Sequence, residues 1–175
     1  SGMGVIYQRA SGGGPLRHPL SPDARQALID TWYRPHHERL AMRTFEALSK
    51  YGHALLVDAH SFASRPLPYE PDQRPDRPQI CIGTDDGFHT PPALAECFVQ
   101  SFRSVGFDVR VNAPYAGVLV PMRYYRQDRR VRALMVEVNR SLYLVESTGE
   151  RCEEYETVAR TIRQCVDQAV LDWAG

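Results

Sequence analysis

Asp58 and His60 stand two residues apart at the end of an apolar run, Leu55-Leu56-Val57. Alternation along a strand puts both on one face. A histidine so placed can ligate a metal, with a carboxylate nearby to support it; a buried, hydrogen-bonded histidine is the plainer reading. Glu137 lies inside a second apolar run, Leu134-Met135-Val136-Glu137-Val138. A carboxylate there is costly unless it is paired, metal-linked or protonated. That makes Glu137 a candidate general acid or base, against the alternative of a salt bridge to Arg132 or Arg140. Residues 112–130 gather Asn112, Tyr115, Arg123, Tyr124 and Arg126. Arginine forks grip carboxylates bidentately, so this loop would suit a small acidic substrate; solvated loop arginines are the alternative. His36 and His37 point about 100° apart on a helix and cannot share one metal. None of the G-x-S-x-G, P-loop, H-E-x-x-H or G-x-G-x-x-G patterns occurs.

The elements that must hold these residues follow from punctuation and periodicity. Residues 4–10 read as a short extended piece, and Ser11 to Pro15 as a flexible turn. Ser21-Pro22-Asp23 opens a helix with a hydroxyl cap and a proline in the first turn. The helical pattern runs to about Ser49, with a kink or break expected at Pro35, and Tyr51-Gly52 closes it. His53 to His60 reads as a buried strand, with the four apolar residues Ala54 to Val57 suiting a central position covered on both faces. Residues 61–78 hold five prolines (Pro66, Pro68, Pro71, Pro75, Pro78) and form a long loop after a strand's carboxyl end. Gln79 to Gly83 is a short strand, Thr90 to Gly106 a helix, Phe107 to Val111 a strand and Ala133 to Val138 a strong strand. A last helix is expected from about Glu150, with Cys152, Cys165 and Trp173 on its apolar face. The order helix–strand–strand–helix–strand–strand–helix predicts one α/β layered domain over residues 1–175 with a largely parallel or mixed sheet.

Composition narrows the partners. The chain has 175 residues with 21 basic and 21 acidic side chains, and Lys50 is its only lysine. A net charge of zero argues against a nucleic acid or a polybasic membrane surface as the main partner. No apolar run approaches the roughly 20 residues that span a bilayer, and no secretory leader is apparent. The four cysteines show no C-x-x-C spacing and read as small buried hydrophobes in a reducing, cytoplasmic setting. The arginine bias fits a GC-rich bacterial genome.

Taken together, three segments resemble the N-formylglutamate amidohydrolase family. Leu55-Leu-Val-Asp-Ala-His-Ser-Phe-Ala-Ser64 is similar to its D-x-H-S-x-x-S element. Ile80-Cys-Ile-Gly-Thr-Asp85 through Asn112-Ala-Pro-Tyr-Ala-Gly117 forms the second, and Val136-Glu-Val-Asn-Arg-Ser-Leu-Tyr143 is similar to its E-[IV]-N-R-x-L-Y element. Tyr33-Arg-Pro-His-His37 also fits. The resemblance runs from about Met3 to Trp173. It implies a three-layer α/β/α fold of the phosphorylase/hydrolase and zinc-carboxypeptidase kind. It implies hydrolysis of an N-acylated acidic amino acid such as N-formylglutamate, with Zn2+ as cofactor. On this resemblance His60 matches a zinc ligand and Glu137 the carboxylate that activates water. Arg123, Asn112, Tyr115 and Arg126 lie in the loop that would face the substrate carboxylates. It also implies that the chain corresponds to the carboxyl-terminal part of such a domain, the remaining zinc ligands coming from a segment upstream. A non-catalytic module of the same fold, binding an acidic metabolite or a partner segment, is the competing expectation.

Overall fold

The computed structural model describes residues 4–10 and 12–174. Helix α1 (Pro22–Leu28) is capped by the Ser21 hydroxyl, which accepts from Ala24 N. The kink or second helix expected at Pro35 is found as a local irregularity: a π-helical turn (Ile29–Tyr33) separates α1 from α2 (Arg34–Tyr51), and Pro35 falls in the first turn of α2, where proline is tolerated. Gly52 then ends α2 at φ 78°, a left-handed conformation that glycine adopts without strain.

Strands β1 (Ala54–Phe62), β2 (Ile80–Gly83), β3 (Val109–Val111) and β4 (Val131–Asn139) form one sheet in the order β1-β4-β2-β3. β1 runs parallel to β4 and β2 parallel to β3, while β2 and β4 are antiparallel, so the sheet is mixed. The expectation that the first strand is central is corrected here. β4 is central and almost wholly buried, and β1 lies at one edge of the described sheet. The apolar run misled because its members divide between two faces. Leu55 and Val57 pack into the core on one side, and Leu56 packs on the other. Coverage of both faces therefore does not require a neighbour on both edges.

One face of the sheet packs on α3 (Pro92–Ser104) and α4 (Tyr155–Ala174), where Ile80, Ile82, Leu134 and Val136 meet Leu94, Phe98, Phe102 and Ala169. Burying a side chain such as Phe98 contributes about 1.5–3 kcal/mol relative to leaving it exposed. The other face packs Val131 and Ala133 against Leu48 of α2 and against Val118, Val120 and Tyr124 of the 112–130 loop. The layers are thus helix, sheet, and helix with loops, the α/β/α arrangement anticipated. Gly83 leaves little room for a side chain where that loop crosses the sheet: a Cβ there would lie 3.0 Å from Met135 Cβ and 3.1 Å from the Gly117 carbonyl oxygen.

The last helix starts later than its pattern suggested. Leu144–Val145 (β5) and Glu150–Arg151 (β6) form a small hairpin, with Gly149 at φ 79° in its turn. Cys152 therefore precedes α4 rather than lying on its face. All four cysteines are free. Among the described residues no helix is long and apolar enough to cross a membrane.

Candidate functional site

The parallel register of β1 and β4 pairs His60 with Glu137, and the antiparallel register of β4 and β2 pairs Glu137 with Cys81. The three side chains form a row across the face that α3 and α4 do not cover. His60 and Glu137 open onto a cavity of about 680 Å³. Its walls include Phe62, Leu67, Tyr69, Glu70, Tyr115 and Arg140. The cavity lies at the carboxyl ends of β1 and β4 and is flanked by the proline-rich segment, where open α/β sheets place their ligands.

Glu137 is 7% exposed, and its Oε2 is buried with no hydrogen-bond partner. The salt bridge weighed as the alternative does not form. Arg132 donates instead to the Phe88 carbonyl, and Arg140 donates to Ser61. Burial pushes the Glu137 carboxyl above its ordinary range, while the neighbouring His60 pulls the other way. The result is a carboxylate kept in an apolar strand with no hydrogen bond to Oε2 and only partial electrostatic compensation from His60 and Arg140, which favours an acid–base role over a structural one.

His60 Nε2 lies 3.0 Å from Asp58 Oδ2. Cys81 donates its thiol proton to the Tyr115 carbonyl at 3.3 Å, holding the loop over the sheet. Below the cavity wall, Arg77 and Glu70 form an ion pair with side chains 2% and 6% exposed. Arg77 also donates to the Tyr115 hydroxyl at 3.3 Å and to the Asp72 carbonyl at 3.0 Å. Burial pushes the Tyr115 phenol up to about 12, Arg77 opposing and Glu70 adding to the rise. Tyr115 is thus a neutral, fixed wall residue.

Of the six residues anticipated from sequence, the structure brings His60, Glu137 and Tyr115 together. The other three do not line this cavity. Asn112 accepts from Thr84 N and donates to Thr84 Oγ1, both at 2.8 Å, and so pins the loop's start. Arg123 donates to the Ala41 carbonyl and lies over the Tyr124 ring, facing α2. Arg126 pairs with Asp86 at 2.7 Å. Sequence reasoning passed over Glu70 and Arg140 as cavity residues, and Arg77 as the support behind Glu70. Glu70 and Arg77 sit in the proline-rich loop, where spacing carries no facing information. Arg140 was weighed only as a partner for Glu137.

The donor set does not complete a zinc site. A catalytic zinc takes about three protein ligands. Among the described residues no three His, Cys, Asp or Glu side chains converge on one point, and His60 Nε2 is engaged by Asp58.

The sequence profile of the N-formylglutamate amidohydrolase family matches residues 1–144. An N-formylglutamate deformylase of Pseudomonas aeruginosa is 27% identical over 168 residues, covering 92% of this chain and 61% of the relative. One from Pseudomonas putida is 26% identical, covering 93% of this chain and 62% of the relative. The chain therefore spans less than two thirds of the length of these curated relatives. The crystal structure of N-formylglutamate amidohydrolase from Ralstonia eutropha JMP134 superimposes with a TM-score of 0.85 at 26% identity, over 99% of this chain and 63% of that one. A gene product of Agrobacterium tumefaciens, 18% identical with a TM-score of 0.61, shares the fold. The match over most of the chain, with His60 and Glu137 meeting at one cavity, places it in the N-formylglutamate amidohydrolase family.

Proposed function

We propose that this chain supplies the water-activating carboxylate and the substrate cavity of an amidohydrolase acting on N-formyl-L-glutamate. The observation that carries this reading is the buried, unpartnered Glu137 Oε2 beside a cavity large enough for an acylated amino acid. Glu137 takes a proton from a water held on the cavity side of its carboxylate, and the water oxygen attacks the formyl carbon. The C–N bond then breaks, and Glu137 returns the proton to the leaving nitrogen. The products are formate and glutamate. Burial of Glu137 raises its basicity, which favours this transfer. The names of the relatives agree with that substrate. His60 is proposed as a metal donor of this face, together with donors that the described residues do not supply.

The test is formate release from N-formyl-L-glutamate by the purified chain, with and without added zinc, beside Glu137→Gln. Turnover that Glu137→Gln abolishes supports the reading. Full activity in Glu137→Gln removes Glu137 from the chemistry. The second reading is a binding module for an acidic metabolite, favoured by the incomplete donor set around His60. Glutamate binding without turnover would establish it.

A further inference from the structure

We infer that Arg140 is the residue that grips a carboxylate of the substrate, and that it selects for acidic acyl amino acids. The inference rests on the reading above that an acylated amino acid enters the Glu137 cavity. Arg140 begins the single 3-10 turn (Arg140–Leu142) that follows β4, three residues after Glu137. That turn is built rigidly. The Asn139 side chain accepts from Ser141 N and Ser141 Oγ, and donates to the Pro78 carbonyl at 3.0 Å.

The guanidinium is held from one side only. Its Nε donates to Ser61 Oγ at 3.2 Å and its Nη2 to the Ser61 carbonyl at 3.1 Å. A guanidinium carries five N–H donors in a fixed fork. Ser61 occupies the Nε–Nη2 edge, which leaves the Nη1–Nη2 end with a free hydrogen on each nitrogen. That end matches the two oxygens of a carboxylate. Among the described residues Arg140 makes no ion pair, although it lines the cavity and is half-buried. Glu137 attracts it from beyond ion-pair distance, and a substrate carboxylate would add a direct partner.

The other arginines near this cavity differ. Arg77 lies behind the wall and is already committed to Glu70. Arg9 is exposed at the rim, with Nη1 donating to the Gly13 carbonyl. The 112–130 arginines face elsewhere. Phe62, Leu67 and Tyr69 offer apolar surface for the methylenes between a carboxylate and the scissile amide.

The experiment is calorimetric titration of the chain with L-glutamate and glutarate, for the wild type, Arg140→Gln, Arg140→Lys and Arg9→Gln. It runs in parallel with KM and kcat for N-formyl-L-glutamate, N-formyl-L-glutamine and the α-amide of N-formylglutamate. Arg140→Gln should weaken binding and raise KM by about tenfold or more, with kcat within about threefold. Arg140→Lys should recover only part of this, since a point charge replaces the fork. The wild type's preference for the substrate bearing the gripped carboxylate should vanish in Arg140→Gln, and the two amides tell which carboxylate it is. Thermal melts of Arg140→Gln within a few degrees of wild type separate this from unfolding; should that variant unfold, Arg140→Lys carries the test.

Unchanged KM in Arg140→Gln with intact wild-type turnover overturns the assignment and leaves the hydrolase reading standing. No turnover in any form, with glutamate binding lost only in Arg140→Gln, does the reverse. Binding lost in Arg9→Gln but not Arg140→Gln overturns it in favour of the rim arginine. Absence of any carboxylate binding by the wild type overturns it outright.

Discussion

His60 and Glu137 are register partners across the parallel β1–β4 pair, so their side chains leave the same face of the sheet at adjacent positions. They are 77 residues apart in the chain, and no local pattern links them. The ladder alone sets their approach, and it also puts both at one cavity wall. Glu137 is therefore held by backbone hydrogen bonds on both flanks, from β1 and β2, rather than by a side-chain partner. A rigid strand is a better platform for a catalytic carboxylate than a loop.

That arrangement costs stability. The folded state holds the Glu137 proton to higher pH than the unfolded chain does, because burial disfavours the anion. Ionisation therefore destabilises the fold progressively as pH rises from the unfolded value, about 4.3. Glu137→Gln should raise Tm at pH 8 by about 2–4 °C and make little difference near pH 4, while abolishing turnover. A lower Tm than wild type at pH 8 would show that Glu137 has a stabilising partner.

Glu70→Gln should cost about 3–5 kcal/mol, because it leaves the Arg77 guanidinium buried beside a neutral amide. Tyr115 should lose its fixed position with it, since Arg77 holds both. Urea denaturation measures the first effect. A change below about 1 kcal/mol would mean that Arg77 finds water in the folded state.

Asp85 closes the loop before α3. Burial raises its carboxyl, but the N–H groups of His89, Thr90 and Gly87 outweigh burial and hold it below the ordinary carboxylate range. A depressed carboxyl contributes stability that is present above about pH 3.9 and is lost as pH falls through the folded value. Asp85→Ala should cost about 2–3 kcal/mol at pH 7 and flatten the acid limb of the stability curve. An unchanged acid limb would assign that limb to other carboxylates.

Arg123→Ala should lower stability by about 1 kcal/mol and leave KM within about twofold of wild type. Its guanidinium ties the loop to α2 through the Ala41 carbonyl and the Tyr124 ring, outside the Glu137 cavity. A tenfold rise in KM would bring Arg123 back as a substrate contact.

The chain itself determined the elements and the chemistry-bearing types. Caps at Ser21 and Gly52, the proline-dense 61–78 segment and the apolar runs around Asp58 and Glu137 act within a few residues, so they are readable in order along the sequence. The cost of an unpaired Glu137 was also legible, since burial of a strand's interior follows from its composition. Strand order was not. Whether β1 or β4 is central depends on pairings between residues far apart, and an apolar run is the same in either place. Nor could spacing tell which arginine faces the cavity. Arg123 and Arg126 share a loop with Tyr115 yet turn toward α2 and Asp86, while Arg140 reaches the cavity through Ser61 of a distant strand. Loop side chains have no periodicity to fix their direction. Only the packing of the 112–130 loop on the sheet, and the end of β4 beside β1, decided which cations stand where an anion can reach them.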